Sequence, residues 1–302
     1  MSEEAATWRL AGHAVRVTQL DRLVWPDAQV TKGELLRYYR DLAPVLLPYF
    51  RDRPVTLRVW PSGLAGPNFY QRDRPDQAPR WLRSTAYHPA TADHVTQLPL
   101  IDDAAGLIWC ANAGSIEFHL WSARLPDLTR PDQLIVDLDP GDEAPFAAVL
   151  RAAVRLHEAL GELGLRCYAK TSGGRGLHVY LPLAPEQPYE EVRGWVRTLA
   201  RQLADQHPDL IALARGATHQ GRLVTIDYAQ NSRGRNTAAP YTLRARPGAP
   251  VSTPVSWTEV AEAAFVPADL TLHTVPARVQ RLGDLFAPVL AGGQHLPPLT
   301  DA

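Results

Sequence analysis

Two aspartates sit two residues apart in QLIVDLDPGD, and Asp137 and Asp139 are the side chains of this 302-residue chain whose spacing speaks first of chemistry. On an extended strand residues i and i+2 share a face with Cα atoms about 6.6 Å apart, so two such carboxylates can share one or two divalent cations. Positions 136 and 138 then turn the other way, into a core, and Pro140 and Gly141 end the strand. A third acid, Asp227 in LVTIDYA, joins the pair if its strand borders theirs. Three carboxylates on one face repel unless a cation neutralises them, and such oxygens select hard ions, here Mn²⁺ or Mg²⁺. Two of these ions about 3.5 to 4 Å apart are the apparatus of in-line phosphoryl displacement. A DxD alone reads more readily as a solvated strand end; Asp227 reverses the balance toward metal binding.

The second chemical stretch is KTSGGRGLHVYLPL, residues 170–183. Gly173, Gly174 and Gly176 permit positive φ and close backbone approach, so successive N–H groups can form a concave anion nest, with Ser172 and Arg175 adding donors. A polyphosphate is the expected occupant. His178 and Tyr180 share a face of the strand that follows, which places His178 toward the same nucleotide. Arg244 and Arg246, in PYTLRARPG, fall on one face if extended and can clamp phosphate oxygens; the alternative is a solvated strand edge. Gln230 and Asn231 either orient a base or sugar or cap a turn.

These residues need a scaffold that gathers them. From residue 133 the pattern gives a strand QLIVDLD, a helix over 144–163, strands CYAKTS and LHVYLPL, a helix over 188–206 and a strand LVTIDYA. The order β-α-β-β-α-β is the split arrangement in which the first strand lies between the third and the fourth. Upstream, Thr31 and Glu34 form a capping box before an apolar periodic run, PVTLRVW and SIEFHLWSA read as strands, and IDDAAGLIWCANA as a short helix. Downstream, Ser256 and Glu259 repeat the capping box, and 274–290 reads as helical.

Composition narrows the class. The net charge of −1 excludes coating nucleic acid by bulk electrostatics, although arginines crowd at 51–83 and 222–246. Only Lys32 and Lys170 are lysines, and neither lies in a KxDG context; GxxxxGK[ST] is absent too, which disfavours a lysyl-adenylate ligase and a P-loop NTPase. Cys110 and Cys167 have no paired spacing and read as core thiols. With neither a signal-peptide pattern nor a long apolar run, the expectation is a cytoplasmic protein with no membrane partner.

DLDPGD, TSGGRGLHVYLPL, IDYAQNSRGRNTAAPYTLRARPGAPVSTPVSW and LDRLVWPDAQVTKGELLRYY together resemble the primase-polymerase domain of bacterial ligase D, from about Thr18 to about residue 290. That family belongs to the archaeo-eukaryotic primase superfamily and serves non-homologous end joining. The resemblance implies an α+β fold, an RRM-like split β-α-β-β-α-β catalytic sheet with an additional N-terminal α/β layer packed on it. It implies one domain over 1–302, with a DNA-end-binding part at 1–114 and a catalytic part at 115–302. Asp137, Asp139 and Asp227 become the catalytic metal ligands, two Mn²⁺ or Mg²⁺ the cofactors, and Ser172, Arg175, His178 and Arg244 the triphosphate contacts, with Gln230, Arg246 and His119 nearby. Arg22 and Lys32 match a pocket for the downstream 5′-phosphate. Phe69 and Tyr70, in PNFYQRD, match an aromatic pair at the templating base, with Arg58 and Arg72 as further DNA contacts; core packing is the alternative for the aromatics. Arg22 and Arg175 stand where the family usually has lysine, and 206–222 is less basic than the corresponding loop.

The implied function is a template-dependent nucleotidyltransferase that extends primers and fills gaps at double-strand breaks, preferring ribonucleotides. Its expected partners are primer-template or gapped DNA, nucleoside triphosphates, Ku and a separate DNA ligase, in a bacterial cytoplasm near the nucleoid. A two-metal nuclease needs the same acids but no triphosphate nest. An RRM-like binding module would carry aromatics rather than carboxylates on its sheet.

Overall fold

The computed structural model describes residues 5–89, 94–213 and 221–299, so the weakly basic loop at 206–222 is described only in part, 214–220 lying outside. Among the described residues no helix is long and apolar enough to cross a membrane. The chain gathers into two compact units, each discontinuous in sequence: Met1–Trp121 with Asn236–Ser252 and Leu270–Gly283, and Ser122–Arg235 with Thr253–Asp269 and Asp284–Ala302.

In the first unit the long helix Lys32–Phe50 starts where the capping box was expected. The Thr31 hydroxyl accepts from the Glu34 amide at 3.2 Å, and the Glu34 carboxylate accepts from the Thr31 amide at 2.8 Å. The helix buries Leu35, Leu36, Tyr39, Leu46 and Phe50. Tyr39 ties it to the sheet by donating to the Ile116 carbonyl at 2.6 Å. That sheet runs Asn236–Ala238, Ser115–Trp121, Val55–Val59, Phe69–Gln71 in spatial order, and all seven residues of Ser115–Trp121 are buried, Glu117 and His119 among them.

The second unit carries a sheet in the order Ile211–Leu213, Val224–Asp227, Gln133–Pro140, Leu177–Pro182, Tyr168–Thr171, Pro254–Val255. The Asp137 strand thus lies between the His178 strand and the Asp227 strand, antiparallel to both, as the split order requires. Helices Phe146–Glu162 and Tyr189–Gln206 bury one apolar stripe each, through Val149, Ala152, Leu156 and Leu160 and through Val192, Val196, Leu199 and Leu203. Val136 and Leu138 are buried, whereas Asp137 and Asp139 on the other face are partly accessible. The two outermost strands are only three and two residues long, too short to show any alternation in sequence.

Three expected elements differ in extent. LVTIDYA is a strand only to Asp227, because the Asp227 carboxylate accepts from the Ala229 amide at 2.9 Å and caps a 3-10 turn, Tyr228–Asn231. The helix expected over 274–290 is Val275–Leu282, stopped by Gly283 at φ +71°, with a separate 3-10 turn at Ala287–Leu290. PYTLRARPG is not extended through both arginines: the Arg246 amide donates to the Arg244 carbonyl at 2.8 Å and the chain turns there. The alternation that would put Arg244 and Arg246 on one face is therefore lost.

Candidate active site

One rung of the second unit's sheet gathers its polar and charged side chains. Asp137 registers with Asp227 on one side and with His178 on the other, and His178 registers with Lys170. Cross-strand partners point to the same face, so Asp227, Asp137, His178 and Lys170 form one row across four strands. Asp139, opposite Thr225, lies on that face one pleat further along. His178 Nε2 is 3.4 Å from Asp137 Oδ1, and Lys170 Nζ is 2.9 Å from His178 Nδ1. Lys170 is fully buried and its Nζ also lies 5.5 Å over the Tyr180 ring. Sequence reasoning passed over Lys170, although it is one of two lysines and sits directly before the glycine turn.

The donors suit a hard divalent cation by type, three carboxylates and no thiol. Among the described residues, however, no three acid, histidine or cysteine side chains are gathered closely enough to form a single-ion set. Two of the carboxylates have other engagements: Asp137 is turned to His178 and Asp227 caps its own turn. The strand register brings the three acids to one face without closing them into a cage.

The glycine turn is wound about the Ser172 hydroxyl, which accepts from the Gly174 and Gly176 amides at 3.2 Å each, while the Ser172 amide donates to the Gly176 carbonyl at 3.0 Å. Gly173 has φ +70°, and a Cβ on Gly176 would stand 2.6 Å from the Leu138 carbonyl oxygen. Only glycine lets the turn lie against the Asp137 strand. The expected glycine turn is present, but two of the amides expected to face an anion donate instead to Ser172. Arg175 reaches back instead of over the turn, donating to the carbonyls of Gly141 at 2.7 Å and Asp142 at 3.1 Å. It fastens the turn to the loop that leaves the Asp137 strand. Gln230 lies on the 3-10 turn after Asp227, and next to it Asn231 bonds both the amide and the carbonyl of Ile135, at 2.9 and 2.6 Å, a scaffold role.

His119, Arg58, Arg244 and Arg246 belong to the first unit, where a residue unnoticed in sequence organises most of them. Glu117, 1% exposed, takes His119 Nε2 at 2.9 Å, Arg244 Nε at 3.3 Å, Arg58 Nη1 at 3.6 Å and the Ala245 amide at 2.9 Å. Burial alone would raise the carboxyl, but the His119 hydrogen bond, the Arg244 charge and the Ala245 amide together take it down to about 2. Burial lowers the His119 imidazole, and the hydrogen bond and charge of Glu117 offset this only in part. An acid inside an otherwise apolar buried strand, two residues from a histidine, was the signal available in SIEFHLW. Arg246 is exposed, and its carbonyl accepts from the Trp25 indole at 2.9 Å.

Phe69 and Tyr70 are 48% and 55% exposed, so core packing does not account for them. Arg58 lies 4.8 Å over the Trp60 ring and 5.0 Å over the Tyr70 ring, while Tyr70 meets His119 edge-on at 5.8 Å. Arg72, just beyond, is exposed. Arg22 and Lys32 adjoin across the short hairpin Leu23–Trp25/Val30–Thr31, the Lys32 amide donating to the Arg22 carbonyl at 2.8 Å. Lys32 is 4% exposed; Arg22 Nη1 donates to the Pro61 carbonyl at 2.8 Å, and its buried Nε has no hydrogen-bond partner among the described residues.

Comparison with known proteins identifies the family. The model of the primase-polymerase domain of LigD matches residues 31–286. The chain belongs to the LigD primase-polymerase family. It is 36% identical over 252 residues to the multifunctional non-homologous end joining protein LigD of Pseudomonas aeruginosa, covering 83% of this chain and 30% of that protein. Against the LigD of Mycolicibacterium smegmatis identity is 32% over 289 residues, covering 95% and 37%. Against the bifunctional LigD of Bacillus subtilis it is 29% over 273 residues, covering 90% and 43%. The chain therefore spans well under half the length of these relatives. Among solved structures, the polymerase domain from Mycobacterium tuberculosis ligase D in complex with DNA superposes with a TM-score of 0.85 at 30% identity, covering 93% of this chain and 99% of that one.

The mixed α/β fold expected from sequence is the fold of that LigD polymerase domain, and a LigD primase-polymerase domain is a DNA-directed nucleotidyltransferase. The chemistry legible in the two units suits such an enzyme. One has acids, an imidazole and a glycine turn on a single sheet face; the other has exposed aromatics and clustered cations.

Proposed function

We propose that this LigD-family domain extends a primer 3′-hydroxyl along a DNA template at broken ends, in bacterial non-homologous end joining, with ribonucleotides as preferred substrates. The observation that carries the reading is the sheet face on which Asp137, Asp139 and Asp227 adjoin the turn Ser172–Gly176. Held by the three aspartates, a pair of Mn²⁺ or Mg²⁺ ions would activate the attacking hydroxyl and offset the charge developing on the α-phosphate. The chain's own part is positional. His178 offers Nε2 on the metal face, and the Ser172 hydroxyl is the donor for phosphate oxygens, with the amides of Gly174 and Gly176 turning to the anion only by giving up their bonds to Ser172. Arg175 holds the turn in place, and Gln230 stands close in sequence to Asp227 to meet sugar or base.

In the first unit, His119 and Arg244 about Glu117, with Arg246 beyond, make an anion-binding group for nucleotide phosphate. Phe69 and Tyr70 offer exposed ring faces for a templating base, with Arg58 and Arg72 as backbone contacts. The cations Arg22 and Lys32 fit a terminal 5′-phosphate, for which a half-buried guanidinium whose buried Nε has no hydrogen-bond partner among the described residues is suited. Ku and a separate ligase activity are the partners such an end-filling step calls for.

The test is extension on a gapped duplex with a 5′-phosphate, run with each nucleotide type and each metal, for the wild type and Asp139→Asn. Loss of extension in the variant with DNA affinity kept is expected; full extension refutes the catalytic reading. Primer shortening by the wild type without nucleotides would instead make it a nuclease. Lys32→Ala should abolish any preference for the phosphorylated end, and an unphosphorylated gap bound equally well by the wild type refutes the 5′-phosphate pocket.

A further inference from the structure

Lys170 is the fully buried lysine of the second unit, and the reaction outlined above gives it no task. An ammonium is costly to bury, and its strand, Tyr168–Thr171, would pack as well around methionine. Thr171, next along, is fixed by backbone and hydroxyl bonds to Thr253 at 2.8 and 2.9 Å, so the strand end that presents Lys170 is rigid. Its Nζ lies 2.9 Å from His178 Nδ1 and over the Tyr180 ring, which is itself braced edge-on by Phe286 at 5.2 Å. As an ammonium Lys170 has three donors and no acceptor, and in that state the ring nitrogen it meets is the unprotonated one.

We propose that Lys170 is a positioning residue that fixes the His178 ring with Nδ1 as acceptor and Nε2–H as the donor offered on the metal-binding face. Histidines held for such a purpose usually have the far nitrogen tied to a carbonyl or carboxylate, which would impose the opposite tautomer. Lysine is the choice that leaves a proton on the nitrogen facing Asp137. That nitrogen stands 3.4 Å from Asp137 Oδ1 and is the one a phosphate oxygen on this face would meet. With the ring turned over or its proton moved, a lone pair would face the acids and the phosphate, and the contact would become repulsive. The inference rests on the triphosphate role given to His178 above.

Ring-nitrogen NMR of ¹⁵N-histidine protein reads the tautomer directly, with His178 assigned by loss of its signals in His178→Ala. In the wild type Nε2 should carry the proton and Nδ1 should not; in Lys170→Met the proton should be shared between the two. Steady-state extension with ATP and with dATP opposite thymine should show KM for nucleotide raised about tenfold or more in Lys170→Met, the usual consequence of losing a charge-assisted hydrogen bond, with kcat changed less and affinity for the gapped duplex unchanged. In a His178→Ala background the same substitution should change KM less than about twofold, because its effect passes through the ring. A wild-type ring protonated at Nδ1 overturns the proposal, and so does a Lys170→Met effect that adds in full on His178→Ala. A His178→Ala protein with wild-type kinetics would overturn the triphosphate role of His178, while the ring spectrum would still decide whether Lys170 fixes its proton.

Discussion

Glu117→Gln is the most informative perturbation of the first unit, because it keeps the shape of the side chain and removes only its charge. Glu117 is 1% exposed and meets two arginines, a histidine and a backbone amide. Its carboxyl is held at about 2 against an ordinary 4.5. At about 1.4 kcal/mol for each pKa unit, that difference corresponds to about 3 kcal/mol of stabilisation at neutral pH. The figure agrees with the roughly 3 to 5 kcal/mol lost when one partner of a buried ion pair is removed. Because the folded value is depressed, the stabilisation is complete above 4.5 and is lost as pH falls through about 2. His119 acts in the same direction: its imidazole is lowered from 6.5 by burial, so below 6.5 the unfolded chain takes up the proton first and folding weakens further.

Urea unfolding at pH 7 measures the first quantity, and Glu117→Gln should lose about 3 kcal/mol. Carbon NMR of the Glu117 carboxyl measures the second, and its shift should stay that of an ionised group down to about pH 2. The wild type should lose stability through His119 as pH falls below 6.5, and through Glu117 as well once pH falls below 4.5. A loss under about 1 kcal/mol in the variant, or a carboxyl titrating at its ordinary value, would refute the reasoning, since either shows that Glu117 does not hold the arginines by its charge.

Phe69→Ala should lower affinity for primer-template DNA by about 1 to 3 kcal/mol in a binding titration, with the unfolding midpoint almost unmoved because the ring is 48% exposed. Gly176→Ala should cost about 1 to 3 kcal/mol in urea unfolding and impair extension, since its methyl would stand 2.6 Å from the Leu138 carbonyl oxygen; a variant of wild-type stability would mean the turn does not lie where described. Asp227→Asn should abolish extension and raise stability by about 0.2 to 1 kcal/mol, because it relieves the like-charge pairing with Asp137 while an asparagine still caps Ala229. A destabilised Asp227→Asn protein would count against that account.

The second unit's sheet was legible because its two faces differ in kind. Val136, Leu138, Val179 and Ile226 repeat with the period of a strand and announce the buried side, which leaves Asp137, Asp139, His178 and Asp227 on the other by parity. Neighbour relations followed from the split order and came out in register, Asp137 against Asp227. What stayed hidden depended on contacts that alternation does not encode. Glu117 lies in a strand buried on both faces, where period two carries no information, and its partners Arg58 and Arg244 come from segments 59 and 127 residues away in the chain. Lys170 read as an ordinary strand residue because nothing local says that its ammonium points to a ring eight residues on. Arg175 was read as a phosphate donor from its place in the turn; its carbonyl partners at Gly141 and Asp142 lie in another loop.

The rung Asp227, Asp137, His178, Lys170 has no explanation in stability. Acids placed directly opposite each other weaken a sheet, and a buried ammonium pays a desolvation cost that a methionine would avoid. Folding is instead secured by the other face, where the helix Phe146–Glu162 packs on the Gln133–Pro140, Leu177–Pro182 and Val224–Asp227 strands. The two demands separate along the strand, Asp137 and Asp139 to chemistry and Leu134, Val136 and Leu138 to the core, so each can change without the other. Apolar-face substitutions should therefore lower the unfolding midpoint and leave nucleotide KM alone, whereas charge-removing substitutions on the rung should do the reverse. A face this costly to the fold is retained where its charges are needed together, and the triphosphate chemistry on a cation pair proposed above is a need that two acids, a donor imidazole and a lysine to orient it would all serve.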